Sequence, residues 1–150
     1  MIREAILSDI PRIVEMSVGF YNTAVKDKGL GFSPIDLYKY TESLIRNEIG
    51  GVFVLEIDDK LVGSIAGIIT PWFMDFSTRL VMEQWWWVEP SYRGNEQSVL
   101  LIDALIKWGR SRRANKIMMV SIGSDKEKAV QRYYRRLGFK YVETQYIKEI

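Results

Sequence analysis

The stretch that most constrains the fold of this chain leads from an aromatic strand, through a short Arg-Gly loop, into the start of a helix. It runs from Val88 to Ser98, and the apolar residues that follow recur at helical spacing. The first turn of a helix presents unpaired N–H groups and the positive end of the helix dipole. The loop at Arg93 and Gly94 therefore predicts a binding site for a phosphate group.

The distribution of charge favours an anionic ligand at the same part of the chain. The net charge is only +2, but the segment from Arg93 to Lys140 holds 12 of the 21 Lys and Arg residues and 4 of the 19 Asp and Glu residues. That segment therefore carries +8, and the remainder carries −6. A basic segment suits a nucleotide phosphate, and an acidic remainder suits a cationic acceptor such as an amine.

The composition excludes several reaction classes. The chain has no cysteine and no histidine, so it lacks a disulfide, a thiolate nucleophile, an imidazole base and a Cys or His metal ligand. Any catalysis must use carboxylates, phenols, lysines, backbone dipoles or a carboxylate-held metal. No metal site is predicted.

Length and hydropathy predict one domain over residues 1–150. A chain of 150 residues with 47% hydrophobic content can bury one core and is too short for two ordinary domains. The sequence has no apolar run of about 18 residues and no basic-then-apolar N-terminal segment, so we expect no membrane-spanning helix and no secretion signal. A cytoplasmic protein without a membrane partner is predicted.

Four helices are predicted. The first is capped by Ser8 or Asp9 and has Pro11 in its first turn, and the second follows Pro34 and ends near Gly50 and Gly51. The third begins at the Arg-Gly loop, and the fourth is capped by Ser124 or Asp125 and closes at Gly138. The inward residues predicted for the second and third helices are Leu37, Tyr40, Leu44, Ile45, Val99, Leu100, Ile102, Ala104, Leu105 and Trp108.

The strands complete the order β-α-α-β-β-β-α-β-α-β, a mixed α/β (α+β) fold with a partly antiparallel sheet. The predicted strands are residues 2–6, 52–57, 61–69, 80–88, 116–122 and 140–150. The second and third form a hairpin around Asp58-Asp59, and residues 116–122 read as a central strand because they are almost entirely apolar.

Residues 25–31 and 70–78 are predicted loops. The second of these is so rich in large apolar residues that it either folds over a pocket or meets another subunit, which leaves a homodimer open.

A second segment, Tyr133 to Phe139, offers a phenol near the end of the fourth helix. Together the two segments resemble the Gcn5-related N-acetyltransferases (GNAT). The acyl-CoA loop of that family reads roughly Val-x-Pro-x-Tyr-Arg-Gly-x-Gly-x-Gly, and its later helix ends in Tyr-x-x-x-Gly-Phe. The resemblance covers nearly the whole chain. It implies a central sheet of about six to seven strands flanked by about four helices, acetyl-CoA as co-substrate, and acetyl transfer to an amine-bearing acceptor.

The resemblance also implies where the cofactor binds. The matched loop would hold the CoA pyrophosphate with its backbone N–H groups, and the strand before it would polarise the thioester carbonyl with a backbone N–H at a bulge, which maps to Trp87 or Val88. Where the family pattern has two glycines, this chain has Glu96 and Ser98, which restricts a close approach of phosphate. The implied loop residues are Arg93, Gly94, Asn95, Glu96, Gln97 and Ser98.

Two side chains are candidates for proton transfer. Tyr134 matches the family tyrosine, which donates a proton to the departing thiolate, and a tyrosine with a pKa near 10 stays protonated at neutral pH. Glu83 is the candidate base. It alternates with Trp85 and Trp87, so in a regular strand all three share one face, and a carboxylate beside indole rings has a raised pKa.

Two other functions stay open at this stage. One is a non-catalytic domain of the same fold that binds CoA or a protein, favoured by Glu96 and Ser98. The other is a nucleic-acid-binding domain that uses the cations near the end of the third helix, Lys107, Arg110, Arg112, Arg113 and Lys116. Cations at a helix C-terminus also complement its dipole, so no nucleic acid partner is predicted. In the family the acceptor site lies in the regions that correspond to residues 25–32 and 70–78.

Overall fold

A single sheet positions every candidate residue. The computed structural model describes residues 1–94, 96–123 and 126–150, and within them five strands pair in chain order. The strands are β1 (Ile2–Glu4), β2 (Gly50–Ile57), β3 (Lys60–Trp72), β4 (Asp75–Val88) and β5 (Lys116–Met118). The helices are α1 (Ile10–Phe20), α2 (Pro34–Arg46), α3 (Gln97–Ser111) and α4 (Glu127–Arg136). The mixed α/β fold class is confirmed, with five strands in the described residues where six to seven were predicted.

The sheet separates two apolar clusters, one on each face. On one face, Leu101 and Leu105 of α3 and Tyr134 of α4 pack with Ile65 and Val81 of the sheet. On the other face, residues of α1 and α2 pack with residues of the sheet, among them Ile13, Leu44, Val54, Trp85 and Trp87. Strands β1 to β4 are antiparallel to their neighbours, and β5 is parallel to β4. The sheet is therefore partly antiparallel, as the sequence predicts.

The predicted hairpin turn and the predicted start of α1 are present, but the predicted side-chain cap of α1 is not. Asp58 and Asp59 both take left-handed backbone angles, with φ of 50° and 59°, as a tight hairpin between β2 and β3 requires. Pro11 lies in the first turn of α1, and Asp9 precedes that helix. The Asp9 carboxylate accepts the Ile6 N–H and pairs with Arg3 instead of capping α1.

The segment 70–78 is a hairpin and not a loop. Strand β3 continues to Trp72, β4 begins at Asp75, and Phe73 and Met74 alone form the turn. The Asp75 carboxylate accepts the backbone N–H of Ser77 and the hydroxyls of Ser77 and Thr78, which stabilises the first residues of β4. The predicted loop 25–31 is also partly helical, because one π-helical turn (Tyr21–Val25) and one 3-10 turn (Lys26–Lys28) continue α1.

Several predicted helix faces and ends are wrong by a residue or a turn. Helix α2 ends at Arg46, because Gly50 and Gly51 begin β2, where a Cβ on Gly51 would lie 2.7 Å from the Trp108 ring. Tyr40 is 39% exposed instead of inward. On α3, Leu101 is fully buried and Leu100 is 49% exposed. The face of α3 that packs on the sheet is the one with Leu105 next to Gly67 and Gly109 next to Val81.

The end of the chain departs most from the prediction. Strand β5 has only three residues and lies at the edge of the sheet, because the chain leaves β4 after Met118. Residues 140–150 form no strand, and Tyr141 and Tyr146 are 74% and 94% exposed there. The predicted caps Ser124 and Asp125 lie outside the described residues. Among the described residues, no helix has the length and apolar character needed to cross a membrane.

Candidate active site

A β-bulge in the middle of β4 decides which side chains meet. Gly67 pairs with Glu83 and Ala66 pairs with Trp85, so Gln84 is an extra residue in β4. The bulge reverses the alternation of side chains. Glu83 therefore faces the α3 and α4 side together with Trp86, whereas Trp85 and Trp87 face α1 and α2. The prediction that Glu83 shares a face with those two indoles is wrong for this reason.

Side chains on the α2 side hold the bulge in place. The Gln84 amide nitrogen donates to the carbonyls of Met82 and Glu83, and the Tyr40 hydroxyl donates to the Gln84 amide oxygen at 2.6 Å. The register is regular at Trp87 and Val88, so the bulge does not lie at the two positions that were expected for it.

Glu83 and Tyr134 converge on the backbone of one residue, Val120. The Val120 N–H donates to Glu83 Oε2 at 2.7 Å, and the Tyr134 hydroxyl donates to the Val120 carbonyl at 2.9 Å. Val120 lies just beyond β5, where the chain has diverged from β4 and its backbone groups no longer pair with that strand. The two side chains thus replace the missing ladder bonds. The structure brings together the two residues that the sequence selected for proton transfer.

The surroundings raise the pKa of both groups. Burial raises the pKa of the Glu83 carboxyl to about 7, although its bond from the Val120 N–H acts in the opposite direction. Burial, and after it the nearby charge of Glu83, raises the pKa of the Tyr134 hydroxyl above its ordinary value. Near neutral pH, Glu83 can therefore gain or lose a proton while Tyr134 keeps its own.

Aromatic rings fix the position of Tyr134. Trp86 stacks on Tyr133 with ring centroids 5.9 Å apart and lies 6.2 Å from Tyr134, and Phe139 lies 5.4 Å from Tyr134 on another side. The Tyr134 side chain is 8% exposed, so it belongs to the core as well as to the candidate site. Tyr133 is half-buried beside it.

The Arg-Gly loop has the predicted backbone but an unexpected arginine side chain. Gly94 takes a φ of 83°, a left-handed angle that favours glycine. Arg93 Nε donates to the Val88 carbonyl at 2.7 Å, and its guanidinium lies 4.2 Å above the Trp87 ring. Burial lowers the pKa of Arg93. Since Trp87 faces α1, the Arg93 side chain lies on the opposite face of the sheet from α3.

The remaining loop residues lie at the start of α3. Glu96 is exposed, and its carbonyl accepts the N–H groups of Val99 and Leu100. Gln97 and Ser98 form the first turn of the helix, and Asn95 lies outside the described residues.

Several buried polar atoms near the candidate site lack hydrogen-bond partners within the described residues. They are Ser98 Oγ in the first turn of α3, Trp86 Nε1, Ser121 Oγ and Tyr133 Oη. Buried donors and acceptors without partners are costly, so a ligand with amide, hydroxyl or phosphate groups would be well accommodated there. Sequence reasoning assigned no role to Val120 and Ser121, because they lie in a mostly apolar strand pattern that carries no local signal of function. Trp86 stood out only as part of the run of three tryptophans at 85–87.

A sequence profile of the acetyltransferase (GNAT) family matches residues 18–139. The chain belongs to the acetyltransferase (GNAT) family. A search of curated protein sequences finds no significant match.

Solved acetyltransferase structures share the GNAT fold with this chain. A predicted acetyltransferase from Clostridium acetobutylicum, solved with acetyl-CoA, is 19% identical with a TM-score of 0.76, and the match covers 99% of this chain and 95% of that one. A Trypanosoma brucei acetyltransferase is 22% identical with a TM-score of 0.74, covering 100% and 99%. AAC(6')-Iy, in complex with the bisubstrate analog CoA-S-monomethyl-acetylneamine, is 17% identical with a TM-score of 0.77, covering 100% and 97%. At these identities the likeness shows the fold.

Proposed function

We propose that this protein transfers an acetyl group from acetyl-CoA directly to an amine of a small molecule or protein. The observation that carries the proposal is the convergence of Glu83 and Tyr134 on the backbone N–H and C=O of Val120. A carboxyl with a pKa near 7 and a protonated phenol, on two sides of one backbone segment, form a suitable base and acid. Family membership and the acetyl-CoA complex of the Clostridium relative support acetyl-CoA as the donor.

The residues around the start of α3 fit this cofactor. The backbone N–H groups of the loop from Arg93 to Ser98 and the dipole of α3 would hold its pyrophosphate. The unpartnered Ser98 hydroxyl would add a hydrogen bond, and a backbone N–H at Trp87 or Val88 would hold the thioester carbonyl oxygen. When bound, acetyl-CoA supplies an activated acyl carbon and a thiolate leaving group.

The side chains manage the protons of the reaction. Glu83, ionised above pH 7, removes a proton from the acceptor ammonium, directly or through one water, and so leaves a nucleophilic amine. Tyr134 keeps the proton on its hydroxyl, which the Val120 carbonyl holds in place until a thiolate forms nearby and receives it. A covalent relay through cysteine is excluded, because the chain has none.

The acceptor that binds beside Glu83 is predicted to carry an amine, as the bisubstrate complex of AAC(6')-Iy indicates for that relative. The acidic remainder of the chain suits a cation. The single-domain organisation, the cytoplasmic location and the homodimer stay predictions.

The test separates binding from turnover. Calorimetric titration with acetyl-CoA measures the cofactor affinity, and thiol release in the presence of a panel of amines measures transfer. Tyr134→Phe removes only the hydroxyl, so acetyl-CoA affinity should hold while kcat falls by roughly 10²–10⁴. Tyr133→Phe is the matched control, since it removes a neighbouring hydroxyl to which the proposal gives no role in proton transfer.

Two results would contradict the proposal. A kcat of Tyr134→Phe equal to that of the wild type and of Tyr133→Phe would show that the Tyr134 hydroxyl takes no part in the reaction. Acetyl-CoA binding by the wild type without transfer to any amine would favour the non-catalytic alternative.

A further inference from the structure

The β3–β4 hairpin extends beyond the rest of the sheet. Strand β2 pairs with β3 only as far as Ile68, and β5 pairs with β4 only from Leu80 onward. Among the described residues, residues 70–79 therefore form a two-stranded ribbon without a neighbouring strand on either side. A two-stranded ribbon is only marginally stable in water by itself, so its length needs an explanation.

The end of the ribbon is apolar and exposed. We call its four large side chains, Trp72, Phe73, Met74 and Phe76, the apolar tip. Phe73 and Met74 are each 74% exposed, Phe76 is 73% exposed, and Trp72 is 38% exposed against the Phe73 ring. At roughly 200 Å² per large side chain, the apolar tip exposes on the order of 500 Å², a size at which surface patches are usually functional.

Four cationic residues lie on the segments that meet the base of the ribbon, and three of them, Arg110, Arg113 and Lys116, are exposed. We call Arg79, Arg110, Arg113 and Lys116 the basic collar. Asn115 joins the segment between α3 and β5 to the ribbon. Its amide nitrogen donates to the Ser77 carbonyl, and its amide oxygen accepts the Arg79 N–H. Lys116 pairs with Leu80, and the Arg113 N–H donates to the Arg110 carbonyl. No member of the basic collar forms an ion pair with another described residue.

We propose that the apolar tip and the basic collar bind an anionic lipid surface, with the apolar tip inserted and the basic collar at the level of the headgroups. About three residues of extended chain, or about 10 Å, separate Phe76 from Arg79, the member of the basic collar on the same strand. Aromatic and Met side chains that enter about 5–10 Å into the interface bring cations at that distance close to the anionic surface. The proposal departs from the sequence-based prediction of no membrane partner, which rested on the absence of an apolar run long enough to span a membrane.

The arrangement favours lipid over nucleic acid. Single-stranded nucleic acid binds where aromatic rings and cations alternate at the spacing of nucleotides. Here Ser77 and Thr78 separate the rings from the cations. Asp75, the acidic residue of the ribbon, is turned toward Ser77 and Thr78 by three hydrogen bonds. Its charge opposes an anionic partner, so Asp75→Asn, which keeps an acceptor for the Ser77 N–H, should strengthen binding.

The experiment is vesicle cosedimentation of the full chain with phosphatidylcholine alone and with added phosphatidylserine. Wild type should bind only the anionic vesicles, and salt should weaken the binding. Phe73→Ser should lower the partition coefficient about tenfold or more, and Lys116→Gln about fivefold on anionic vesicles alone. Ile35→Ser is the control, because Ile35 lies in the first turn of α2 and is 68% exposed. This substitution should leave the partition coefficient unchanged. Unchanged circular dichroism confirms that each variant folds.

Three results would overturn the proposal. The first is equal binding to both vesicle types or no effect of Phe73→Ser. The second is retention on single-stranded DNA that Lys116→Gln and Phe73→Ser abolish, in the absence of vesicle binding. The third is a concentration-dependent dimer that Phe73→Ser dissociates, again without vesicle binding, because a second copy of the chain would then be the occupant.

Discussion

Replacing Glu83 by Gln should strongly lower the activity and, at the same time, stabilise the protein at alkaline pH. The folded structure raises the pKa of this carboxyl from 4.5 to about 7, mainly by burial. The folded state therefore holds the proton more tightly than the unfolded state does. Below pH 4.5 both states are protonated and Glu83 imposes no penalty. Between pH 4.5 and about 7 the unfolded state ionises first, so the wild type loses stability as the pH rises.

The size of the effect follows from the pKa difference. A shift of about 2.5 units at about 1.4 kcal/mol per unit corresponds to a penalty on the order of 3 kcal/mol once both states are ionised. Gln is neutral at every pH and its amide oxygen can still accept the Val120 N–H, which Glu83 accepts at 2.7 Å. The variant should therefore approach the wild type in stability near pH 4.5 and exceed it by on the order of 3 kcal/mol near pH 8.5.

Urea denaturation of both proteins from pH 4.5 to pH 8.5 measures this difference directly. Glu48→Gln, at an exposed position, is the control and should show no such trend. Wild-type kcat/KM should rise with pH to an inflection near 7, and Glu83→Gln should lose that limb with a fall of roughly 10²–10⁴ in rate. A stability difference that stays constant with pH would refute the reasoning on the pKa. An active variant with a flat profile would refute the role as base.

Three further substitutions test other parts of the site and its support. Arg93→Ala removes a hydrogen bond to the Val88 carbonyl and a guanidinium above Trp87, so chemical denaturation should show a loss of about 1–3 kcal/mol. Calorimetry should show weaker acetyl-CoA binding, and an unchanged Kd would remove Arg93 from the cofactor site. Gly51→Ala places a Cβ 2.7 Å from the Trp108 ring and should cost about 1–3 kcal/mol of unfolding free energy, whereas stability equal to wild type would mean that Trp108 moves freely. Tyr134→Phe should cost about 1 kcal/mol through the lost bond to Val120, measured in the same way, and a stabilised variant would contradict that bond.

Sequence reasoning succeeded where the cause of a structure is local. The Asp58-Asp59 turn and the Pro11 helix start depend on backbone preferences within a few residues, and both are present as predicted. The Arg-Gly loop is similar, since Gly94 takes the left-handed angle that its sequence suggests. Tyr134 lies on α4 and Gly138 closes that helix with a φ of 85°, as the family motif implies, whereas the role of Tyr134 as acid stays a prediction.

The predictions failed where distant parts of the chain set the outcome. The bulge that turns Glu83 toward α4 depends on Gln84 and on Tyr40, which lies 44 residues away. The sequence of β4 gives no signal of this bulge, because a strand with one extra residue has the same composition as a regular strand. Likewise, residues 116–122 have the apolar pattern of a central strand, and only the tertiary structure shows that their pairing with β4 ends at Met118.

The divergence of the chain from β4 after Met118 explains why Glu83 and Tyr134 meet. Once the chain diverges from β4, the N–H and C=O groups of Val120 lose their ladder partners, and backbone groups within a fold need replacements. A carboxylate can accept from the N–H and a hydroxyl can donate to the carbonyl, which is the chemistry that Glu83 and Tyr134 supply. Glu83 and Tyr134 therefore make the hydrogen bonds that β4 no longer makes to Val120. Both side chains also carry groups that can exchange a proton. Burial raises the pKa values of both groups, and the divergence of β5 from β4 leaves free the backbone groups that they bind.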